Sequence, residues 1–362
     1  MNLLSKHWSE DEIERYVGPC RSAYIGYAAD DMIRLGAASG GIVSAMLIYA
    51  LESGMIDGAV VCRTVVRDGR VRNAFVAARS RGEILDARGS SYVASAFVPE
   101  VFDLIRAFEG RLAVVGLPCD LKNLASWGGN HPADIRKVVL TLSLFCGHAS
   151  QPELVDAVAS RMGSGGSASL ERFRFRSGRW RGKMLARFSD GSVEERPFGD
   201  FGLYQNLFFF CSPKCLHCCD HFGYSADLSA GDVWDYRLRK SPVKHSGLLC
   251  RSGRGEEIVR SAMEAGALLC DEVPVARILD GQRRSAPSHY NVSARARAGR
   301  RFGIVIRDTV GARVRWHEYL AAWIRLANYR WSRSERAPLI FKTPKPLLKL
   351  WLYLMKGLES LS

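Results

Sequence analysis

The chain has no window of eighteen uncharged apolar residues, so no helix is expected to span a bilayer. Its first residues, Met-Asn-Leu-Leu-Ser-Lys-His-Trp, lack the apolar centre of a secretory signal. There is no internal repeat, and no recognition module for nucleic acid accompanies the basic residues, which sets nucleic acid aside as a partner. These absences point to a cytoplasmic protein, at most peripheral to the inner face of the membrane. Thiols stay reduced in that compartment, so clustered cysteines are metal or redox sites before they are disulfides. Acidic residues are scarce in one region only. Residues 281–362 hold 17 Lys or Arg against 4 Asp or Glu, a net +13, while the rest holds 34 against 33. The end of the chain is therefore a basic attachment, expected to decide partners rather than catalysis.

What is present is an ordinary globular composition, 47% apolar and 24% charged, in a chain of 362 residues, long enough for two or three domains. Apolar strands alternate with helical patterns: Ser22–Tyr27, helix 42–53, Asp57–Val66, Val71–Ala78, helix 98–109, Arg111–Gly116, Arg136–Phe145 and helix 152–162. The alternation predicts an α/β fold, with a mixed or mostly parallel sheet covered by helices. Unusual residues fall in loops after strands, where open α/β sheets bind ligands: Ser39, Gly40 and Gly41, then Cys119, Cys146 and His148. The flexible Gly163–Ala168 linker suggests a boundary. Three parts are expected: an α/β part over 1–165, a smaller β-rich, cluster-binding part over 166–280 and a basic helical extension over 281–362.

Four of the ten cysteines lie within nine residues, at Cys211, Cys215, Cys218 and Cys219. Three readings fit. A structural zinc site could draw on His217 or His221, but it lacks a second pair at the usual spacing. The Cys211-x3-Cys215-x2-Cys218 spacing also matches the signature of radical S-adenosylmethionine enzymes, although some two hundred residues of α/β pattern precede it here. The third reading is a four-thiolate iron–sulfur cluster, with Cys215 and Cys218 from this loop and Cys119 and Cys146 from the strand ends. Cys20, Cys62, Cys250 and Cys270 carry no partner signal and are expected to be core thiols.

Several motifs together resemble one family. They are Gly36-Ala-Ala-Ser-Gly-Gly41, Met55-Ile-Asp-Gly-Ala-Val60, Gly89-Ser-Ser-Tyr92, Gly116-Leu-Pro-Cys119, Leu144-Phe-Cys146, Cys215-Leu-His-Cys218 and Ala226-Asp-Leu-Ser-Ala-Gly-Asp-Val-Trp234. Over about residues 20–270 the chain resembles the beta-subunit family of coenzyme F420 hydrogenases and dehydrogenases. The resemblance implies a flavin (FAD) and one or more 4Fe-4S clusters in one chain, passing electrons between a deazaflavin (coenzyme F420) or ferredoxin and a second redox partner. The chain departs from the family in having Ser91 where a Lys is usual, Leu117 where a Thr is usual, and extra thiols at Cys211 and Cys219. No N-terminal ferredoxin-like module is present, so one cluster is expected.

On this reading Cys119, Cys146, Cys215 and Cys218 are the metal ligands. Ser39, Gly40, Gly41, Ser90, Tyr92 and Asp232 line the flavin. A Gly-rich turn before a helix offers N–H groups and a positive dipole end to a pyrophosphate. Asp232 could accept a bond from the flavin or hold a nearby Arg. His148, with its near-neutral reference pKa, is the candidate proton relay. The expected function is a flavin-dependent iron–sulfur oxidoreductase joining a one-electron donor, such as ferredoxin, or a deazaflavin to a small-molecule substrate. The alternatives are a non-catalytic electron-transfer subunit and a radical enzyme using Cys211, Cys215 and Cys218. In the extension, Trp316, Leu320, Trp323 and Ala327 share one helical face, and Pro346–Leu361 mixes Leu, Trp and Lys. These helices are expected to meet a partner subunit or an anionic membrane surface.

Overall fold

The structure is a computed structural model and describes residues 7–163, 168–178, 182–238 and 240–361. Eleven strands among these residues form two sheets. The larger contains β1 (Ser22–Ala28), β2 (Gly58–Arg67), β3 (Arg70–Ala78), β4 (Leu112–Gly116), β5 (Val138–Leu144), β9 (Leu228–Asp232), β10 (Ser246–Cys250) and β11 (Leu268–Glu272). Their order is β11-β1-β10-β9-β5-β4-β2-β3. The central run β2-β4-β5-β9 is parallel, and both flanks are antiparallel. The expected α/β class is borne out, with a sheet that is mixed. The smaller sheet is the antiparallel meander β6 (Leu170–Ser177), β7 (Lys183–Phe188) and β8 (Val193–Pro197). Strands from both sides of Gly163 enter the large sheet, and residues 164–167 of the expected linker lie outside the described residues.

Helix Ile42–Glu52 shows why the parallel strands need covering on both faces. Ile42, Ala45, Met46, Leu47, Ile48 and Ala50 are all buried. They pack with Ala59, Val61, Ala113, Leu140 and Leu142 of the sheet and with Ile258 and Val259 of helix Gly253–Glu264. Each fully buried large aliphatic side chain there contributes about 1.5–3 kcal/mol. The opposite face is covered by helix Phe97–Ala107, through Phe97, Val101, Phe102 and Ile105. Asp227 ties β5 to the start of β9: its Oδ2 accepts from Thr141 N at 2.9 Å and Thr141 Oγ1 at 2.8 Å, and its Oδ1 accepts from Ser252 Oγ at 2.7 Å.

The extension folds back on the body. Helices Trp316–Ser332 and Lys345–Glu359 bury Ala321, Ile324, Leu348, Leu352 and Met355 in the same core as the small sheet and helix Phe198–Asn206. Trp316, Leu320, Leu347, Leu350 and Leu354 remain exposed. No helix among the described residues is long and apolar enough to cross a membrane.

Asp57, at the entry to β2, accepts from the Arg111 backbone N at 2.7 Å and from its guanidinium at 3.0 Å. These bonds to Arg111 hold the Asp57 carboxyl down at about 2, from an ordinary 3.8. A depressed folded pKa gives stability that is present above the unfolded value and lost as pH falls through the folded one. The stability difference between wild type and Asp57→Asn should therefore be flat above about pH 5 and shrink between about pH 4 and pH 2, read by urea unfolding.

Candidate functional site

Three loops bring four thiols to one cavity. Cys119 lies in the first turn of helix Pro118–Asn130, straight after β4. Pro at the first helical position costs no hydrogen bond. Asp120, 2% exposed, accepts from Leu117 N at 3.1 Å and so fixes that turn. Cys146 follows β5, and its N–H donates to His221 O at 2.9 Å. Cys215 and Cys218 sit on the 3₁₀ turn Pro213–His217 and just after it. The chain then crosses over β5 toward β9, which requires Gly223: its φ is +77° and a Cβ would lie 2.0 Å from Ser143 Oγ. Asp220 caps the crossing by accepting from Phe222, Gly223 and Tyr224 N–H groups. Cys119, Cys146, Cys215 and Cys218 line one small cavity, together with Lys214 and His148.

Burial pushes the Cys119 thiol up to about 12 and Cys218 to about 11, with neighbouring negative groups adding to the effect. Burial raises Cys146 as well. Cys215 is held below its ordinary value because the Cys211 thiol bonds to it and Ala149 N–H donates to its Sγ at 3.4 Å. Burial disfavours the Lys214 ammonium, but the Cys119 thiolate and Asp120 carboxylate outweigh it and raise its pKa. Such a set suits a cationic metal group, which replaces the protons of buried thiols. Among the described residues no three His, Cys, Asp or Glu side chains converge tightly enough for a single ion. Four thiols spread around a cavity match a multinuclear cluster better than a mononuclear zinc. Cys211 is completely buried outside the cavity lining, packed with Leu216 and Val292. Cys20, Cys62, Cys250 and Cys270 also lie outside that lining.

His148 lines the cavity and stacks on Phe208 with centroids 4.2 Å apart. Burial lowers its pKa to about 4, so it is neutral at pH 7. The segment before Cys211 is strained: Phe208 and Phe210 have φ of 64° and 53°. Left-handed bulky residues cost of order 1–3 kcal/mol each and persist only where surroundings enforce them. Here the extension does so, through Asn328 Nδ2 donating to Leu207 O at 2.8 Å and Ser332 Oγ accepting from Phe210 N at 2.9 Å.

The other candidate residues gather around the small sheet and the Gly-rich turn. Gly41 takes φ +81° at the start of helix Ile42–Glu52, which has no side-chain cap and no acidic residue in its first turn. Gly40 is pressed against Gly26 O, and its N–H already donates to Ser246 Oγ at 2.9 Å. Ser39 Oγ shares a 2.8 Å hydrogen bond with Ser246 Oγ. Tyr92 sits among Phe175, Phe198 and Phe201, and burial raises its pKa. It also bonds Ser90 and Arg176. Asp232 pairs with Arg176 at 2.6 Å, so of the two roles open to it the structure shows the arginine contact. Arg176 Nη1 belongs to β6, and its side chain is 4% exposed. Lys244 donates to Ala37 O and, at 3.0 Å, to Gly178 O. Burial and the Arg176 charge lower its pKa to about 8.

Arg176, Lys244 and Ser246 carry no sequence signal, because each stands alone in a chain with 51 Lys or Arg or among common serines. The extension also differs from its expected role. His289 lines the cavity, and Arg295 bonds the cysteine loop, so residues beyond 280 help to build the site.

Two family models match the chain: the N-terminal part of the coenzyme F420 hydrogenase/dehydrogenase beta subunit over residues 23–101, and its C-terminal part over 109–275. The chain belongs to this family. All seven resemblance motifs fall within those matches. The coenzyme F420 hydrogenase subunit beta of Methanosarcina barkeri is 26% identical over 256 residues, covering 69% of this chain and 81% of the relative. That of Methanococcus voltae is 27% identical, covering 69% and 84%. The coenzyme F420-dependent sulfite reductase of Methanocaldococcus jannaschii is 28% identical over 62% of this chain, which spans 34% of that longer protein. A chain of the F420-reducing NiFe hydrogenase complex of Methanosarcina barkeri shares the fold, with a TM-score of 0.59 and 23% identity over 81% of this chain and 98% of that one. Residues 276–362 lie beyond both family models.

Asp232→Asn should remove the carboxylate that faces a buried guanidinium, at a cost of about 3–5 kcal/mol measured by urea unfolding. A loss below about 1 kcal/mol would mean that the pair is screened as a surface ion pair is.

Proposed function

We propose that this member of the beta-subunit family is a flavin-dependent iron–sulfur oxidoreductase. In this reading Cys119, Cys146, Cys215 and Cys218 hold one 4Fe-4S cluster, which supplies one-electron transfer to an FAD that works at the hydride level. The observation that carries it is the convergence of four thiols from three loops on one cavity. The uncapped start of helix Ile42–Glu52 supports the flavin, as does Arg88, whose Nε is buried without a partner and lies where a Cβ on Gly36 would fall. Together with Lys244 they surround the turn with positive charge suited to a pyrophosphate. The Tyr92 aromatic cage and the Arg176–Asp232 pair hold β6 and β9 in place around it. His148 is neutral and buried, so its duty as a proton relay rests on a change in its surroundings.

Coenzyme F420 then enters as a substrate or redox partner rather than as a resident group, and ferredoxin is the candidate one-electron partner. The radical-enzyme alternative needs Cys211 as a ligand, and its place outside the cavity disfavours it. The reading as an electron-transfer subunit draws support from the fold neighbour, which is a chain of a hydrogenase complex. The exposed Trp316, Leu320, Leu347 and Leu350 beside basic residues support docking of such a partner subunit, with an anionic membrane surface as the alternative.

Purified without oxygen, the chain should contain about four irons and a flavin. Cys146→Ser should lose the iron and keep the flavin. It should still be reduced by the reduced deazaflavin but no longer pass electrons to a one-electron dye. Zinc in place of iron, or iron without flavin, would overturn the reading.

A further inference from the structure

Arg295, in helix Val292–Gly299, is 3% exposed. Its guanidinium donates only to backbone carbonyls: Leu216 O at 2.9 Å, Ser288 O at 2.9 Å, Asn291 O at 3.5 Å, His289 O at 3.0 Å and Cys218 O. Its hydrogen bonds are satisfied, but its charge is not. Among the described residues no carboxylate lies within ion-pair distance of it. The neighbouring buried arginine is treated differently: Arg325 pairs with Glu359, which also takes Arg284, and all three meet at the end of helix Lys345–Glu359. An isolated buried charge costs several kcal/mol unless something nearby neutralises it. The nearest charged group is Arg325, itself paired with Glu359, and the groups of opposite sign that face Arg295 are the thiols of the cysteine loop, Cys218 first.

We propose that Arg295 is a built-in counter-charge of the cluster, alongside Lys214 in the cavity wall, and tunes its reduction potential from the C-terminal extension. This deepens the cluster reading and rests on it. Four thiolates around a four-iron, four-sulfur core leave a net negative charge, and one-electron reduction adds one more. A fixed guanidinium bonded to the ligand loop therefore favours the reduced state. It also pins the carbonyls of Leu216 and Cys218, which hold that loop against the extension. Arg295 is a positioning residue: it acts through the loop and the field, and it lies at a position beyond both family models. The extension would thus tune this member of the family to its own electron donor.

The test is a redox titration of the full, cluster-loaded chain, followed by paramagnetic resonance, with iron content measured alongside. Arg295→Gln should lower the one-electron reduction equilibrium about tenfold, a fall of about 59 mV. Arg295→Lys, which keeps the charge and loses the planar fork, should lose iron more readily yet stay near the wild-type potential. Glu359→Gln, which leaves Arg325 and Arg284 uncompensated, should shift the potential upward. A purely structural role would not give shifts of opposite sign. An unchanged potential in Arg295→Gln overturns the inference. If that variant holds no iron, the Glu359→Gln titration decides, and an absent or downward shift overturns it. A wild-type chain without iron would instead defeat the cluster reading itself.

Discussion

The site depends on a short set of backbone bonds at Ser150. This residue is fully buried. Its N–H donates to Tyr92 O at 2.8 Å and its carbonyl accepts from Ala94 N at 2.8 Å, while it bridges to Cys211 on the other side. Gln151 N–H then donates to Phe210 O at 2.7 Å, and Ser212 N–H to Ala149 O at 2.9 Å. Three segments far apart in sequence become neighbours here: the Gly89–Tyr92 loop, the Cys146–Ser150 loop and the cysteine stretch. Buried backbone groups must be paired, so this junction leaves little freedom in how the loops meet. The thiols on one side and Tyr92 with Ser90 on the other are held by the same few residues. That is the physical basis for reading two redox groups in one chain.

Around the junction, charge is handled in two ways. Arg176 and Asp232 neutralise one another, as do Arg325 and Glu359. Among the described residues Arg295 has no carboxylate partner, and the thiol cavity has Lys214 in its wall. The Phe208 and Phe210 strain belongs to the same pattern, because it is imposed by Asn328 and Ser332 from the extension. The extension therefore carries part of the site's support, and its basic composition alone hid that.

The sequence made the cysteines legible for a clear reason. Cys119 and Cys146 sit directly after apolar strands that are easily seen, and Cys215 and Cys218 are close in sequence. The parallel centre of the sheet was legible from strand–helix alternation. The β2–β3 edge was legible as a pair of neighbouring strands, but the other antiparallel flank was not, because β10 and β11 pair with β1 across more than two hundred residues and no local pattern encodes that. Asp232 stood out as a motif residue, but its partner Arg176 comes from a different sheet. Asp227, in the same motif, proves to be structural. Arg295 was invisible because a basic tail looks alike at every arginine, and only burial distinguishes one.

The most direct test is Mössbauer spectroscopy of the full chain loaded anaerobically with isotopically enriched iron. Four thiolates from three loops should give a cuboidal four-iron cluster whose irons all have the tetrahedral sulfur environment of complete cysteine ligation. A cluster with one open iron that responds to S-adenosylmethionine, or a chain that takes up only a mononuclear metal, would contradict the account.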